Sequence, residues 1–306
     1  MKNTLLRTVV IFVALCIYPS IHAYDFEYDG FYYDITSDST VSVTYEGSTE
    51  YEYEGDIIIP EKATFNNKTY QVTEIGPLAF LGCNIGTISI PNNIIAIREK
   101  AFTSSSLDSI DIGSGVLIIE PSAFSYCNLG HINIPDNVTR IGHHAFYASN
   151  HLVSLKLGTG VTDIFYGAFR AAPLKEIYAS STIPPIAYHT NSYTDTFDAD
   201  IFNQCTLHVP AGSLQAYKNA EVWKNFKNIV ENDFTGIERP SPNKAKIFGN
   251  KNSIAFRNIE PGTDISIYDT TGKCIKTFAV DGDSEIPLPS GIYLIKYAGR
   301  TIKIIL

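Results

Sequence analysis

The chain has 306 residues, of which 44% are hydrophobic and 18% charged, so it can form a sizeable core and is not a disordered polypeptide. Its 32 acidic and 23 basic residues give a net charge of −9, which disfavours nucleic acid and anionic lipid as partners. The length suits two ordinary domains or one elongated repeat array with additional units.

The first 23 residues have the layout of an export signal. Lys2 and Arg7 precede nine apolar residues at 9–17, and Ala23 is followed by an acidic stretch. Nine residues make roughly 14 Å of helix, about half of a bilayer core. The sequence therefore predicts a signal peptide at 1–23 that is cleaved after Ala23, a secreted or outer-surface location, and no transmembrane span in the mature chain.

Residues 24–71 are predicted to form an acidic β cap. Short β-type runs, for example at 41–45 and 57–59, are separated by Gly and Ser. From residue 25 to residue 61 there are eleven acidic residues and no Lys or Arg. A tyrosine-rich acidic surface suits a cationic or sugar ligand. The pattern favours the alternative, a hairpin whose tyrosines pack on the first repeat.

The central part of the chain repeats with a period of 22 residues. An Ala-Phe pair occurs five times, and the phenylalanines are spaced by 22, 22, 22 and 23 residues. The pairs are Ala79-Phe80, Ala101-Phe102, Ala123-Phe124, Ala145-Phe146 and Ala168-Phe169. Other apolar positions keep the same phase, such as Val116 and Ile119 before the third pair and Ile132 and Ile134 after it. A fixed period of this length is typical of solenoids.

A single unit is too small to fold alone. Burial of its seven apolar positions contributes roughly 10–20 kcal/mol, and ordering about 22 residues costs at least as much. Stacked units bury one another's faces, so the period predicts a solenoid with one short strand per coil and a parallel sheet along one side. Gly or Pro ends each strand, at Pro91, Gly113, Pro135 and Gly158.

The units also share a specific residue pattern. It is exemplified by Ile75-Gly76-x-x-Ala79-Phe80-x-x-Cys83 and by Ile132-x-Ile134-Pro135-x-x-Val138-x-x-Ile141-Gly142-x-x-Ala145-Phe146. The pattern resembles the BspA-like leucine-rich repeats of bacterial surface proteins, over about residues 57–231. The resemblance implies a right-handed leucine-rich repeat solenoid with its parallel sheet on the concave side. Residues 72–179 are then five leucine-rich repeats.

Residues 180–231 are predicted to be a closing repeat and helical cap. Ser213 stands at a helix N-cap position, and Tyr217, Trp223 and Val230 follow at helical spacing. We expect Trp223, the one tryptophan of the chain, to plug the last coil.

Residues 232–244 are a predicted linker, and residues 245–306 a predicted antiparallel β-sandwich built from short strand patterns. The motifs are Tyr268-Asp269-Thr270-Thr271-Gly272-Lys273, Leu288-Pro289-Ser290-Gly291-Ile292-Tyr293 and Gly299-Arg300-Thr301-x-Lys303. They resemble the C-terminal sorting domain of type nine secretion substrates, which implies a sorting or anchoring role through an export machinery. The alternative is an ordinary Ig-like accessory module.

The sequence contains no recognised catalytic motif, such as Gly-x-Ser-x-Gly, His-Glu-x-x-His or a P-loop. We therefore expect a non-enzymatic protein without cofactor or metal. His143, His144 and His151 bracket one Ala-Phe pair, but no Cys or carboxylate stands beside them at metal-ligand spacing, so we interpret them as surface residues. An enzymatic alternative would depend on the His143 region or on the loop at 181–204.

Four cysteines follow the signal peptide: Cys83, Cys127, Cys205 and Cys274. Cys83 and Cys127 have the same phase two coils apart, which places their Cα atoms about 10 Å apart. A disulfide tolerates about 7 Å, so buried free thiols are expected.

Outward-facing positions on the stacked strands are predicted to form a ladder on the concave side. The ladder consists of Thr87, Ser89, Ser109, Asp111, His131, Asn133, Ser154, Lys156, Glu176 and Tyr178. Solenoids present such surfaces to extended partners. Most of the ten are small and polar and lack the aromatic and Arg content of a binding hot spot, so a solvated sheet face is the alternative.

These observations together predict an exported, cell-surface leucine-rich repeat protein for binding or adhesion. Its expected partner is an extracellular protein or glycan that contacts the ladder or the Tyr-rich cap. The alternative is a spacer or matrix component whose solenoid has no specific ligand and whose sandwich makes the specific contact.

Overall fold

The computed structural model describes residues 24–47, 53–189, 196–232, 246–250, 253–257, 259, 262–280, 282, 284–297 and 300–306. The predicted signal peptide and, except for Asn232, the predicted linker lie outside these residues. Their assignments therefore stay predictions.

The N-terminal cap consists of short strands, as predicted. They are β1 (Phe26–Tyr28), β2 (Phe31–Ile35), β3 (Thr40–Thr44), β4 (Glu54–Ile58), β5 (Lys62–Phe65) and β6 (Lys68–Ile75). Strands β1, β2 and β3 form an antiparallel meander, and β3 pairs with β6 in parallel. Tyr53 is buried with its ring 4.8 Å from that of Phe80, so this cap tyrosine packs on the first repeat.

The repeats are built from parallel strands, short helices and turns. In chain order they are β7 (Asn84–Ser89), β8 (Ala96–Ile97), β9 (Ser109–Asp111), β10 (Ile118–Ile119), β11 (His131–Asn133), β12 (Arg140–Ile141), β13 (Ser154–Leu157), β14 (Asp163–Ile164), β15 (Glu176–Ala179), β16 (Ile186–Ala187), α1 (Ala199–Gln204), β17 (Thr206–Pro210), α2 (Leu214–Asn219) and β18 (Asn228–Asn232).

Each coil carries two strands, which corrects the prediction of one short strand per coil. The longer strands form the sheets β4-β7-β9 and β11-β13-β15-β17-β18. The two-residue strands β8, β10, β12, β14 and β16, here called the short-strand sheet, continue in parallel from β6. The second strand arises because the buried residues Ile97, Ile119 and Ile141 stack in register, and their backbones pair from coil to coil.

The core of the solenoid is a column of stacked phenylalanine rings. Phe80, Phe102, Phe124, Phe146 and Phe169 are fully buried, and successive ring centroids lie 5.0 to 5.2 Å apart. Their planes are within 8° of parallel. Large apolar side chains at one position of each coil therefore form one continuous core, as the period predicts.

Tight turns on each side of the Ala-Phe pair use left-handed backbone. The residues before the pair are Leu78, Lys100, Ser122, His144 and Gly167, and each has a φ between 55° and 68°. At the corners after the longer strands, coils approach closely. A Cβ on Gly113 would lie 2.4 Å from the carbonyl oxygen of Pro91, so this corner requires glycine.

The closing unit is less helical than predicted. Helix α2 has six residues, Trp223 lies in a 3₁₀ turn, and Val230 lies in strand β18 instead of a helix. Ser213 is at the N-cap of α2, but its hydroxyl donates to the carbonyl oxygen of Pro210. The backbone N–H groups of Gly212 and Leu214 donate instead to the Glu231 carboxylate, which fills the capping role from a neighbouring strand.

Trp223 occupies the place predicted for it. It is fully buried, its ring lies 5.7 Å from that of Phe197, and its indole N–H donates to the carbonyl oxygen of Pro185 at 2.7 Å. The described helices have no more than six residues, and none of them is long and apolar enough to cross a membrane.

The C-terminal region forms two antiparallel sheets. Their strands are β19 (Lys246–Asn250), β20 (Ser253–Arg257), β21 (Asp264–Asp269), β22 (Cys274–Ala279), β23 (Ser284–Pro287), β24 (Ile292–Tyr297) and β25 (Arg300–Ile305). The sheets are β19-β20-β23 and β22-β21-β24-β25. Phe256 of the first sheet and Ile267 and Ile295 of the second belong to one buried cluster. This arrangement is consistent with the predicted two-layer β domain.

Cys83 and Cys127 are free, as expected from their spacing by two coils, and Cys205 and Cys274 are free as well. Cys83, Cys127 and Cys205 are buried, and Cys274 is exposed. Ser105 occupies the equivalent position in the coil between Cys83 and Cys127, and its hydroxyl lies 3.5 Å from the Cys127 sulfur. Burial raises the pKa of the Cys127 thiol to about 12.

Candidate functional site

The structure places the ten ladder residues in two columns across the longer strands. Thr87 lies beside Ser109, and Ser89 lies beside Asp111. Across β11, β13 and β15, one column continues as His131, Ser154 and Glu176 and the other as Asn133, Lys156 and Tyr178. All ten residues are exposed or half-buried. Of the residues between them, Ile88, Ile132, Leu155 and Ile177 are buried and Ile110 is half-buried.

The ladder is divided between its second and third coils. Strand β9 is the edge of the three-stranded sheet, and β11 is the edge of the five-stranded sheet. Backbone pairing therefore does not connect Asp111 to Asn133 as it connects the other neighbours. The ladder is two adjoining segments, which the period alone does not indicate.

Sequence reasoning missed the C-terminal extension of both columns. Thr206 and His208 of β17 lie beside Glu176 and Tyr178, and Asn228 of β18 lies beside Thr206. The available signal was the alternation of buried Leu207 and Val209 with these outward residues. A long insertion before β17 changes the spacing and hides this coil from the search for a fixed period.

Glu176 and Tyr178 of the ladder both contact His208, which lies on the next strand. The His208 Nε2 lies 2.7 Å from the Glu176 carboxylate, and the rings of Tyr178 and His208 stack at 4.4 Å with planes 9° apart. Burial, and secondarily the charge of Glu176, raises the pKa of Tyr178. Lys156 lies beside Tyr178 in register, so this segment presents a cation, an anion and two rings.

At the other end, the ladder is joined to the N-terminal cap. Asp56 interrupts the pairing of β4 with β7, and its carboxylate accepts hydrogen bonds from both the backbone N–H and the hydroxyl of Thr87, at 2.9 and 2.8 Å. Thr87 is therefore held by the cap. A partner that contacts the first ladder residues would also meet Asp56.

The histidines considered as zinc ligands pack against aromatic rings. The His143 ring lies 3.8 Å from that of Tyr166, and the His144 ring contacts Tyr147 edge-on at 5.3 Å. Burial lowers the pKa of both imidazoles, so both favour the neutral form. In the part of the chain that the structure describes, no group of three or more His, Cys, Asp or Glu residues is placed to hold a metal ion.

Parallel strands in successive coils, an inward apolar column and an outward polar ladder are the features of a repeat solenoid. Residues 73–208 match the model of the BspA type leucine rich repeat region, in six copies. This part of the chain is therefore similar to BspA-type leucine-rich repeats. The matched residues include the first part of the predicted closing repeat, up to residue 208.

Several solved structures are similar to the chain. The T. pallidum leucine rich repeat protein TpLRR has 25% identity and a TM-score of 0.43, over 50% of this chain and 73% of that chain. The pneumococcal vaccine antigen PcpA has 22% identity and a TM-score of 0.47, over 60% and 49%. A leucine rich cell surface protein from Faecalibacterium prausnitzii has 17% identity and a TM-score of 0.39, over 76% and 58%. Among curated proteins, none matches.

Proposed function

We propose that the protein is exported to the cell surface and acts there as a non-enzymatic binding or adhesion protein. Its ladder recognises an extracellular protein or glycan. BspA-type repeats are typical of bacterial surface proteins, and residues 73–208 are similar to repeats of this type. The observation that carries the proposal is the register of the two outward polar columns within each of the two ladder segments, which lie over one continuous apolar core.

The ladder suits an extended partner because its groups recur at the spacing of the strands. Neighbouring parallel strands lie about 4.8 Å apart, so each coil offers one position per column at this repeat. The segment with Lys156, Glu176, Tyr178 and His208 combines charge, hydrogen-bonding groups and aromatic surface. We therefore expect this segment to contribute more affinity than the small residues Ser89 and Ser109.

Charge reversal on the ladder tests the proposal. The chain from Tyr24 onward is screened against immobilised matrix proteins and glycans, and the Asp111→Lys and Lys156→Glu variants are compared on every probe that is bound. An adhesin should lose at least about tenfold in affinity through disrupted complementarity. Lys218→Glu, on helix α2, changes the net charge as Lys156→Glu does and is the matched control. Equal binding by all variants would favour a spacer without a ladder ligand.

Export is a separate part of the proposal. The secreted product should begin at Tyr24, which N-terminal sequencing measures, and a product that begins at Met1 would contradict a cleaved signal. The two C-terminal sheets support a folded module, and the sorting role rests on the motif resemblance. Deletion of residues 245–306 should retain the protein in the cell envelope. Unchanged surface display would instead favour an accessory module.

A further inference from the structure

The outward face of the short-strand sheet changes in character along the solenoid. The residue that follows each short strand occupies an equivalent position in its coil: Arg98, Glu120, Gly142, Phe165 and Tyr188. At the N-terminal end, Arg98 forms ion pairs with Glu74 and Glu120, so these groups satisfy one another. At the C-terminal end, the same position carries two aromatic rings. These rings lie outside the buried phenylalanine column.

Tyr188 is held rigidly in this second stack. Its ring stacks on Phe165 at 4.7 Å with planes 8° apart, and the Arg140 guanidinium lies 5.3 Å from the Phe165 ring centre. The Tyr188 hydroxyl donates to the Asp163 carboxylate at 2.9 Å. Strand β16, which precedes Tyr188, is the last strand of its sheet among the described residues. One face of the Tyr188 ring is therefore covered by Phe165, and among the described residues no strand of this sheet lies beside the other face.

The surroundings of Tyr188 combine exposed apolar area with polar groups. Tyr188 is 38% exposed, and Ile186, two residues earlier on the same side of the strand, is 59% exposed. Arg140 and Asp163 lie beside each other in register, followed by Ile186. The Asp163 carboxylate also accepts a hydrogen bond from the Thr162 hydroxyl at 2.7 Å, and each of its oxygens keeps a second lone pair for a ligand. The Arg140 guanidinium lies over the neighbouring Phe165 ring, so a cation and an anion flank a flat ring whose orientation is fixed. A fixed ring loses little conformational entropy when it binds a ligand.

We infer that Tyr188, Ile186, Asp163 and Arg140 form a platform for a neutral pyranose sugar, separate from the ladder. The apolar C–H face of the sugar stacks on the Tyr188 ring, and vicinal hydroxyls bond to Asp163 and Arg140. The size of the platform supports this ligand class. A protein interface needs about 800 Å² per partner, far more than one ring and one isoleucine offer.

The charge of the platform distinguishes between classes of sugar. Asp163 lies directly at the hydroxyl of Tyr188, and the whole chain has a net charge of −9. Arg140 balances the charge of Asp163 within the platform, so the platform has no excess positive charge to hold a carboxylated or sulfated sugar, whereas a neutral sugar needs none. A hydroxyl both donates and accepts hydrogen bonds, so it satisfies a carboxylate and a guanidinium at the same time.

Saturation-transfer NMR on the chain from Tyr24 onward tests the platform. The probes are maltotetraose, cellotetraose, mannotetraose and lactose, with sialyllactose as the charged counterpart of lactose. We expect transfer to the ring C–H protons of at least one neutral sugar, and weaker transfer to sialyllactose than to lactose. The absence of transfer to every neutral probe would overturn the proposal, and so would a preference for sialyllactose.

Variants locate the binding. Tyr188→Ala should lower the affinity for the bound sugar at least about tenfold, since it removes the stacking ring. Tyr188→Phe keeps the ring but loses the bond to Asp163, so an intermediate loss is expected. Tyr126→Ala removes another exposed tyrosine and should change nothing, and circular dichroism confirms that each variant is folded. Undiminished binding by Tyr188→Ala would overturn the platform. Tyr188→Ala should still bind any partner that the charge-reversed ladder variants lose, which separates this proposal from the ladder function.

Discussion

The ring of Phe197 stacks on that of Phe169 with centroids 5.7 Å apart and planes 11° apart, although the two residues are separated by 28 positions in the chain. The aromatic column therefore continues into the sixth coil, where Thr196 replaces the alanine of the pair. Beyond Phe197 the column ends on Trp223 and Phe226. Each interior ring stabilises the coils on both of its sides.

Removal of a ring from the middle of the column should be strongly destabilising. Phe124→Ala leaves a cavity between Phe102 and Phe146, and we expect a loss of about 3–5 kcal/mol in the free energy of unfolding. Urea denaturation measures this loss. Leu117→Ala is the control, because Leu117 is 45% exposed and should cost much less. Similar losses for both variants would contradict a special contribution of the stacked rings to the free energy of unfolding.

The ion pairs of Arg98 on the short-strand sheet should stabilise the folded state, because one guanidinium contacts two carboxylates at once. Arg98 donates to Glu74 through Nε at 2.8 Å and to Glu120 through Nη1 at 2.6 Å, and all three side chains are partly buried. Arg98→Met leaves two half-buried carboxylates without their cation, so we expect a loss of about 2–3 kcal/mol.

Two variants check this interpretation by urea denaturation. Arg98→Lys keeps the charge but loses the two-pronged geometry, so an intermediate loss is expected. Lys100→Met removes an exposed ion pair with Glu99 and should change the free energy of unfolding by less than about 1 kcal/mol. An Arg98→Met variant as stable as the parent would show that the cluster contributes nothing.

The buried thiols predict a loss of stability at alkaline pH. Folding raises the pKa of Cys127 from 9.0 to about 12, chiefly through burial. Between these values the unfolded chain loses its proton first, so the stability present below about pH 9 decreases as the pH rises towards about 12. Cys127→Ser should weaken this dependence, since Ser105 already occupies the equivalent position one coil earlier. Urea denaturation from pH 8 to pH 11 measures the slope.

Alkylation provides a second measurement on the same residues. In the native protein at pH 8, iodoacetamide should modify Cys274, which is exposed, and leave Cys83, Cys127 and Cys205 unmodified. All four should react in denaturant. Rapid native modification of Cys127 would contradict its burial and the expected pH dependence.

A glycine substitution at a left-handed position before an Ala-Phe pair should stabilise the protein. Ser122 has a φ of 57°, and Gly167 occupies the equivalent position in a later coil with a φ of 68°. Ser122→Gly removes the steric cost of that conformation and should stabilise the protein by up to about 1 kcal/mol. Ser106→Gly is the control, because Ser106 is exposed and not left-handed, and it should destabilise slightly. Thermal unfolding distinguishes the two.

The sequence alone was sufficient to predict the solenoid and the positions of the ladder. The phase of Phe80 to Phe169 requires that successive coils stack, and the alternation after each pair requires that residues such as Ser154 and Lys156 face outward. It did not predict the short strands, because a two-residue strand has no period of its own. The helix predicted from the sequence up to Val230 was wrong beyond α2. Apolar residues at helical spacing occur equally in a buried turn followed by a strand.

The sequence by itself determined the repeat, because apolar side chains that recur every 22 residues are buried together when successive coils stack. What only the tertiary structure decided is where polar and aromatic side chains from different coils meet. The pairing of Glu176 with His208 and the stacking of Phe165 on Tyr188 each join residues from successive coils across an insertion or a corner. Such contacts depend on the register between coils, which backbone hydrogen bonds set and which no local pattern records.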